Sequence, residues 1–331
     1  MRRINPHVRP EFYFEKARRP RELEEKKLAD EKAAKEAEKA KPKTIVPRRL
    51  TGVAALIAAI GTPEAQHLEY ASGLLAYLPP TIREALGDAV GAQVAMLGCV
   101  LDAELTGREA QLRALRSLGQ DEIARKAEVI APQLRQLDRA YRLPLVALAV
   151  PALKGLDEAG RAAFLAMLRA AIEADRRFTL SEFVLTTILQ WTIGPGARRA
   201  GGVKYKSRNE TASETALVLS LLAHTGGGAG EGTRQRVRAA FDKGREALGM
   251  AGLELAAQDT LKLAQVSQAF GRLAALAPAE KERLLEGFGA AIAADEDIKL
   301  MEHELLRAVA CVLDCPMPPA IAALDPRLLR K

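Results

Sequence analysis

The residues best placed to do chemistry in this chain are acids. Asp295-Glu296-Asp297 form a tight run, and Glu302 stands seven residues beyond its first member. Calcium and magnesium are hard cations that take several oxygen ligands, and carboxylates close in a corner with a glutamate from the next helix are a reasonable supply. Asp295, Asp297 and Glu302 are therefore the candidate ligands for a divalent cation. The pattern is not an EF-hand, because the mid-loop glycine and the twelve-residue ligand spacing are missing. A second reading stays open beside it. Asp295 can cap backbone amides, and Glu302 in a first helical turn is favoured by the positive end of the helix.

Other chemistry finds little support in the residue pattern. The histidines are His7, His67, His224 and His303, and His303-Glu304 is followed by Leu305, Leu306 and Arg307, so the second histidine of a zinc-hydrolase helix is absent. His303 is expected on the outward side of its helix, at the surface. Cys99, Cys311 and Cys315 are too few for a disulfide framework or a four-ligand zinc site, and are expected as reduced, apolar-packed thiols. The run Thr225-Gly226-Gly227-Gly228 lacks the lysine and the preceding strand of a phosphate loop. No Gly-x-Ser-x-Gly elbow occurs. The chain is expected not to be an enzyme, and no cofactor is expected beyond the candidate calcium or magnesium ion.

These residues sit on a helical framework. Of 331 residues, 48% are hydrophobic but only 4% aromatic, so the apolar content is chiefly Ala, Leu, Val and Ile, which favours packed helices over sandwiches or barrels. The fold class is all-α, a multi-helix array or bundle. Helical stretches are predicted at Gly52–Ile60, Pro63–Leu78, Thr81–Cys99, Gly107–Leu118, Asp121–Leu137 and Pro144–Leu153, with Thr106 as one of the N-terminal caps. An internal repeat organises the rest. Leu156–Ile193 aligns without a gap on Leu276–Leu313 with 11 identities in 38 positions, among them Ile172/Ile292, Asp175/Asp295 and Glu182/Glu302. A weaker match runs upstream through Leu143/Leu263, Val146/Val266 and Ala149/Ala269. Each copy reads as helix, acidic corner, helix, with Phe178 or Ile298 plugging the hinge into the core. Trp191 is expected in the core. Gly194 to Arg208 reads as a surface loop, and Thr225 to Gly232 as a flexible glycine-rich linker.

The charge is local. Residues 1–49 hold 16 Lys and Arg against 9 Asp and Glu, which accounts for the whole net charge of +7. The pattern is a basic arm on a neutral body rather than a basic folded face, so nucleic acid is not the expected partner and an anionic membrane surface is. No secretory signal is read at the charged N-terminus. The apolar stretch after Leu50, broken by Gly52, Gly61 and Pro63, is short of the roughly 20 residues a spanning helix needs. A cytoplasmic location, peripheral to the inner face of the plasma membrane, is the expectation.

Several runs resemble a known family. Arg2-Arg3-Ile4-Asn5-Pro6 resembles the stretch just beyond the catalytic domain of HtpX-like membrane zinc metallopeptidases. Ile60-Gly61-Thr62-Pro63, His67-Leu68-Glu69-Tyr70-Ala71 and Leu74-Leu75-Ala76-Tyr77-Leu78-Pro79 resemble the cytosolic tail of one bacterial branch, as do Arg142-Leu143-Pro144-Leu145 and Val203-Lys204-Tyr205-Lys206-Ser207. The repeat is similar to the tellurite-resistance TerB unit, whose acidic turn is matched by Ala294-Asp295 through Ile298 to Glu302. The first copy departs from it at Arg176 and Arg177. The charge and helix patterns give a basic arm and charged helical spacer over 1–49 and a solenoid-like domain over 50–142, and the resemblance implies a first TerB-like unit over 143–195. A loop, helix and linker insertion over 196–250 and a second unit over 251–331 complete it. The family's H-E-x-x-H helix, third zinc ligand and membrane spans have no counterpart in the sequence. The resemblance therefore implies a non-catalytic regulatory or interaction region whose partner is a membrane metallopeptidase or another protein. A free-standing stress-response module that binds a divalent cation is the alternative.

Overall fold

The computed structural model describes residues 78–137, 139–175, 177–195, 202–228, 230–295 and 298–315, all within one compact unit. The basic arm, the predicted helix over 52–60 and nearly all of that over 63–78 lie outside them. The described residues form twelve α-helices and no strand, an all-α array. The first seven are α1 (Pro80–Ala85), α2 (Ala89–Val100), α3 (Leu105–Ser117), α4 (Asp121–Gln136), α5 (Arg142–Lys154), α6 (Glu158–Ala174) and α7 (Leu180–Ile193). The other five are α8 (Ala212–Gly226), α9 (Thr233–Leu248), α10 (Leu263–Leu273), α11 (Pro278–Ile292) and α12 (Leu300–Val312). No helix among the described residues is long and apolar enough to cross a membrane.

Local chemistry sets several boundaries that the pattern of apolar residues misses. The stretch predicted as one helix from Thr81 to Cys99 is two. Asp88 interrupts it, its Oδ1 accepting from Val90 N at 2.9 Å and Gly91 N at 2.8 Å, so the second helix begins with a capped turn of its own. Thr106 does not cap α3. The helix starts after Glu104, and the polar anchor there is Asp102, whose Oδ1 accepts from Glu104 N at 2.9 Å. Asp157 caps α6 through Gly160 N at 2.7 Å.

The repeat seen in the sequence is also a repeat of packing. α6 and α11 are the first helices of the aligned copies, and α7 and α12 the second. Upstream, α5 and α10 carry the weaker match, with Leu143, Val146 and Ala149 buried in one and Val266 and Ala269 in the other. In each half helices of this set pack on an apolar central helix, α5 and α6 on α2, and α10, α11 and α12 on α8. α2 buries Ala92, Val94, Met96, Leu97 and Val100, and α8 buries Val218, Leu219, Leu221 and Leu222. The halves differ also in their covering helices. α9 covers both α8 and α11, whereas in the first half α4 lies on α2 and α3 lies on α6. Gly244 and Gly287 let α9 and α11 approach closely, since a Cβ on Gly244 would stand 3.0 Å from Gly287 O. α7 and α12 pack on each other and join the two halves.

Two predicted loops are more ordered by contact than the sequence suggests. Thr225–Gly232 is not a linker between separate bodies but a turn between α8 and α9, which pack together, with Gly228, Gly230 and Gly232 at positive φ. The predicted surface loop around Tyr205 is held to the second half. Tyr205 pairs with Leu276 in an isolated parallel bridge, Lys204 N donates to Ala275 O at 2.8 Å, and Ala277 N donates to Tyr205 O at 2.9 Å. The Arg272 guanidinium lies 4.7 Å above the Tyr205 ring. Trp191 is half-buried against the core.

Candidate functional site

The two acidic corners are built from the same parts. At the first, the Asp175 carboxylate accepts from Arg177 N at 2.9 Å and from Gln111 Nε2 at 3.2 Å. Gln111 is wholly buried; it also donates to Val100 O at 3.0 Å and accepts from Asp102 N at 2.7 Å, tying the corner to the end of the central helix α2. Thr179 then opens α7 with a capping box. Its N–H donates to Glu182 Oε2 at 2.8 Å, and its hydroxyl accepts from Glu182 N at 3.3 Å. Burial raises the Glu182 carboxyl, against the pull of the Thr179 bonds, and Asp175 raises it further.

At the second corner Glu302 repeats the role of Glu182: its Oε2 accepts from Lys299 N at 2.8 Å. Lys299 has no acceptor, so only the glutamate half of the box forms. Lys299 Nζ instead donates to Gly226 O at the end of α8. Arg236 takes the place that Gln111 holds in the first half, its Nε donating to Gly227 O at 3.0 Å. Lys243 Nζ reaches Ala294 O at 3.3 Å. A cavity of about 70 Å³ lies here, lined by Gly226, Arg236, Ala291, Asp295 and Glu302 among others.

Of the candidate cation ligands, the structure therefore brings Asp295 and Glu302 to one cavity, while Asp297 lies outside the described residues. Asp295 is exposed and Glu302 is buried, 3% accessible. Three cationic side chains surround them and already serve nearby carbonyls. Among the described residues no group of three or more His, Cys, Asp or Glu is arranged to hold a metal ion.

The sequence misses a buried polar seam on α12. His303, expected at the surface, is only 1% exposed, because α7, α8, α10 and α11 all pack on α12 and leave it little free face. Burial holds the imidazole neutral, pushing its pKa down to about 3, with Arg307 adding to the effect. Next to it Glu304 is 3% exposed, and burial pushes its carboxyl up to about 7 although Arg142, Arg307 and Arg139 pull the other way. Burial also lowers Arg307, which Cys311 and Glu304 oppose. His303 Nδ1, Glu304 Oε1 and Arg307 Nη1 make no hydrogen bond within the described residues. The legible signal was the close succession of His303, Glu304 and Arg307 on a helix whose other residues, after the first-turn Glu302, are apolar.

Phe178 corrects another expectation. It does not plug the hinge; it is 49% exposed and meets Phe183 edge-on at 6.1 Å, and Phe183 rather than Phe178 stacks on Phe270 at 5.7 Å. Its neighbour Arg177 reaches Glu104 at 3.5 Å, and Leu105, next in the chain, is also exposed. Ile298 is half-buried against the core.

A groove of about 500 Å³ runs between α1, the start of α2, and α4, lined by Thr81, Ala85, Val90, Val94, Val129 and Ile130, with Asp88, Arg125, Lys126 and Gln133 also on it. Val90 and Val129 are 46% and 66% exposed.

No family model matches this chain, no curated protein matches it, and no solved structure matches it.

Proposed function

We propose that this chain is a non-catalytic regulatory or interaction region that works beside an HtpX-like membrane zinc metallopeptidase. The observation that carries the reading is the first corner. There the sequence departs from the acidic pattern, and Phe178 stands exposed next to Arg177, which reaches Glu104, with the exposed Leu105 adjoining. Aromatic and arginine side chains at the centre of an exposed patch are the usual anchors of protein interfaces. The resemblance in the runs around Ile60, Leu74 and Val203 supplies the choice of partner. Residues 1–49 then lie near the anionic inner leaflet, where each Lys or Arg close to the surface contributes roughly 1 kcal/mol.

Binding of the full chain to a reconstituted peptidase of this family in vesicles containing anionic lipid tests the proposal. Phe178→Ala should weaken binding by about 2 kcal/mol or more if Phe178 is an anchor. Unchanged binding would remove this corner from the interface.

The alternative, a divalent-cation module, keeps one observation in its favour: Asp295 and Glu302 line the same cavity. Calcium wants six to eight oxygens, and Arg236 on the same wall opposes a cation there. Titration calorimetry with calcium and magnesium decides between them. Heat that disappears in Asp295→Asn/Glu302→Gln supports the ion, whereas no heat leaves Glu302 its capping role alone.

A further inference from the structure

The groove between α1, α2 and α4 is apolar in its walls and open. Val90 and Val129 supply exposed aliphatic surface over the buried Val94 and Ile130, and Arg125 and Lys126 supply positive charge at its edge, Lys126 pairing with Glu122 at 2.7 Å. Exposed aliphatic surface of this kind favours burial, and a groove rimmed by charge selects what buries it.

The chain itself arrives at this place. Leu78, the first described residue, is buried, and its carbonyl accepts from Arg83 Nη2 at 3.0 Å. Thr81 and Ala85, about one and two helical turns on, already form the groove wall. Whatever precedes Leu78 is thus delivered to the groove's edge at very high effective concentration, so a weak preference suffices to seat it. What precedes it is suited to the walls. Residues 52–77 carry Val53, Leu56, Ile57, Ile60, Leu68, Leu74 and Leu75, and their only charged residues are Glu64 and Glu69 beside one histidine. Those acids complement Arg125, which has no carboxylate partner within 4.0 Å among the described residues.

We propose that the groove is the seat of residues 52–77 of the same chain, with Leu74 and Leu75 against Val90, Val129 and Ile130 and an acid facing Arg125. The occupant is intramolecular; a second copy or an outside partner would fill the groove only in place of it. This inference does not depend on the peptidase partner proposed above.

The test is photocrosslinking on the purified full chain, with benzoylphenylalanine at position 129, which is exposed enough to accept it. Chains labelled with ¹⁴N and ¹⁵N are mixed before irradiation. Crosslinks should map to residues 52–77 and join peptides of one isotope only. In Leu74→Glu/Leu75→Glu their yield should fall about tenfold or more, as removing two buried leucines requires. Mixed-isotope crosslinks, crosslinks that avoid residues 52–77, or a yield indifferent to the two substitutions would each overturn the proposal.

Discussion

Thr192 Oγ1 stands 3.5 Å from Cys311 Sγ, so that the duplicated helices α7 and α12 meet at the same turn. Cys311 is the repeat counterpart of Trp191, the neighbour of Thr192, since the copies are offset by 120 residues. The two halves thus use one surface twice, much as two subunits do across a two-fold interface. The thiol at this seam is protected: burial raises Cys311, against Thr192 and Arg307, and likewise raises Cys315.

Thiol reactivity reports this directly. Burial pushes Cys99 up to about 11, with Arg142 opposing, and a thiol must ionise to attack. At pH 8 the native Cys99 thiol should react with a disulfide reagent on the order of 100-fold more slowly than in the urea-unfolded chain, and Cys311 and Cys315 should be slowed as well. Rapid labelling of all three in the native protein would contradict the packing of α2 and α12.

Two glycine substitutions should act in opposite directions. A Cβ on Gly226 would collide with the Glu302 carboxylate, which is buried and held by Lys299 N, so Gly226→Ala should destabilise by about 1–3 kcal/mol. Gly271 lies within α10 with nothing near its Cβ position, so Gly271→Ala should be neutral or stabilise by up to about 1 kcal/mol. Urea unfolding of both variants measures the contrast.

The pH dependence of stability follows from the α12 seam. Glu304 has its folded pKa raised from 4.5 to about 7, so the folded state holds the proton more tightly and its contribution is lost as pH rises through that window. His303 is depressed from 6.5 to about 3, so its contribution is lost as pH falls through that range. The two slopes oppose each other between about pH 4.5 and 6.5, and stability should be flat there. Glu304→Gln should uncover the His303 slope, so that stability climbs by up to about 3 kcal/mol between pH 4.5 and 6.5, at 1.36 kcal/mol per pKa unit. An equally flat profile in the variant would show that Glu304 does not offset His303.

How much of this was legible varies with the kind of interaction. The helical class and the repeat could be read because aliphatic residues at helical spacing and identities such as Asp175/Asp295 are local facts of the sequence. Glu182 and Glu302 were legible as first-turn acids, and both accept from a cap residue's N–H. The burial of His303 and Glu304 was not, because it depends on four other helices closing over α12. Nor was the partnership of Gln111 with Asp175, which joins residues 64 positions apart. Phe178 read as a plug because its hydrophobicity is visible in sequence and its direction is not.

The proposal that this duplicated helical array binds an HtpX-like membrane zinc metallopeptidase, without doing chemistry itself, meets its sharpest test in binding. The most direct measurement is binding of the purified full chain to that reconstituted peptidase, with peptidase activity followed in the same titration. Saturable binding that changes the partner's activity, with no hydrolysis by the chain alone, is the result expected. Absence of binding, or substrate hydrolysis by the chain on its own, would contradict the account.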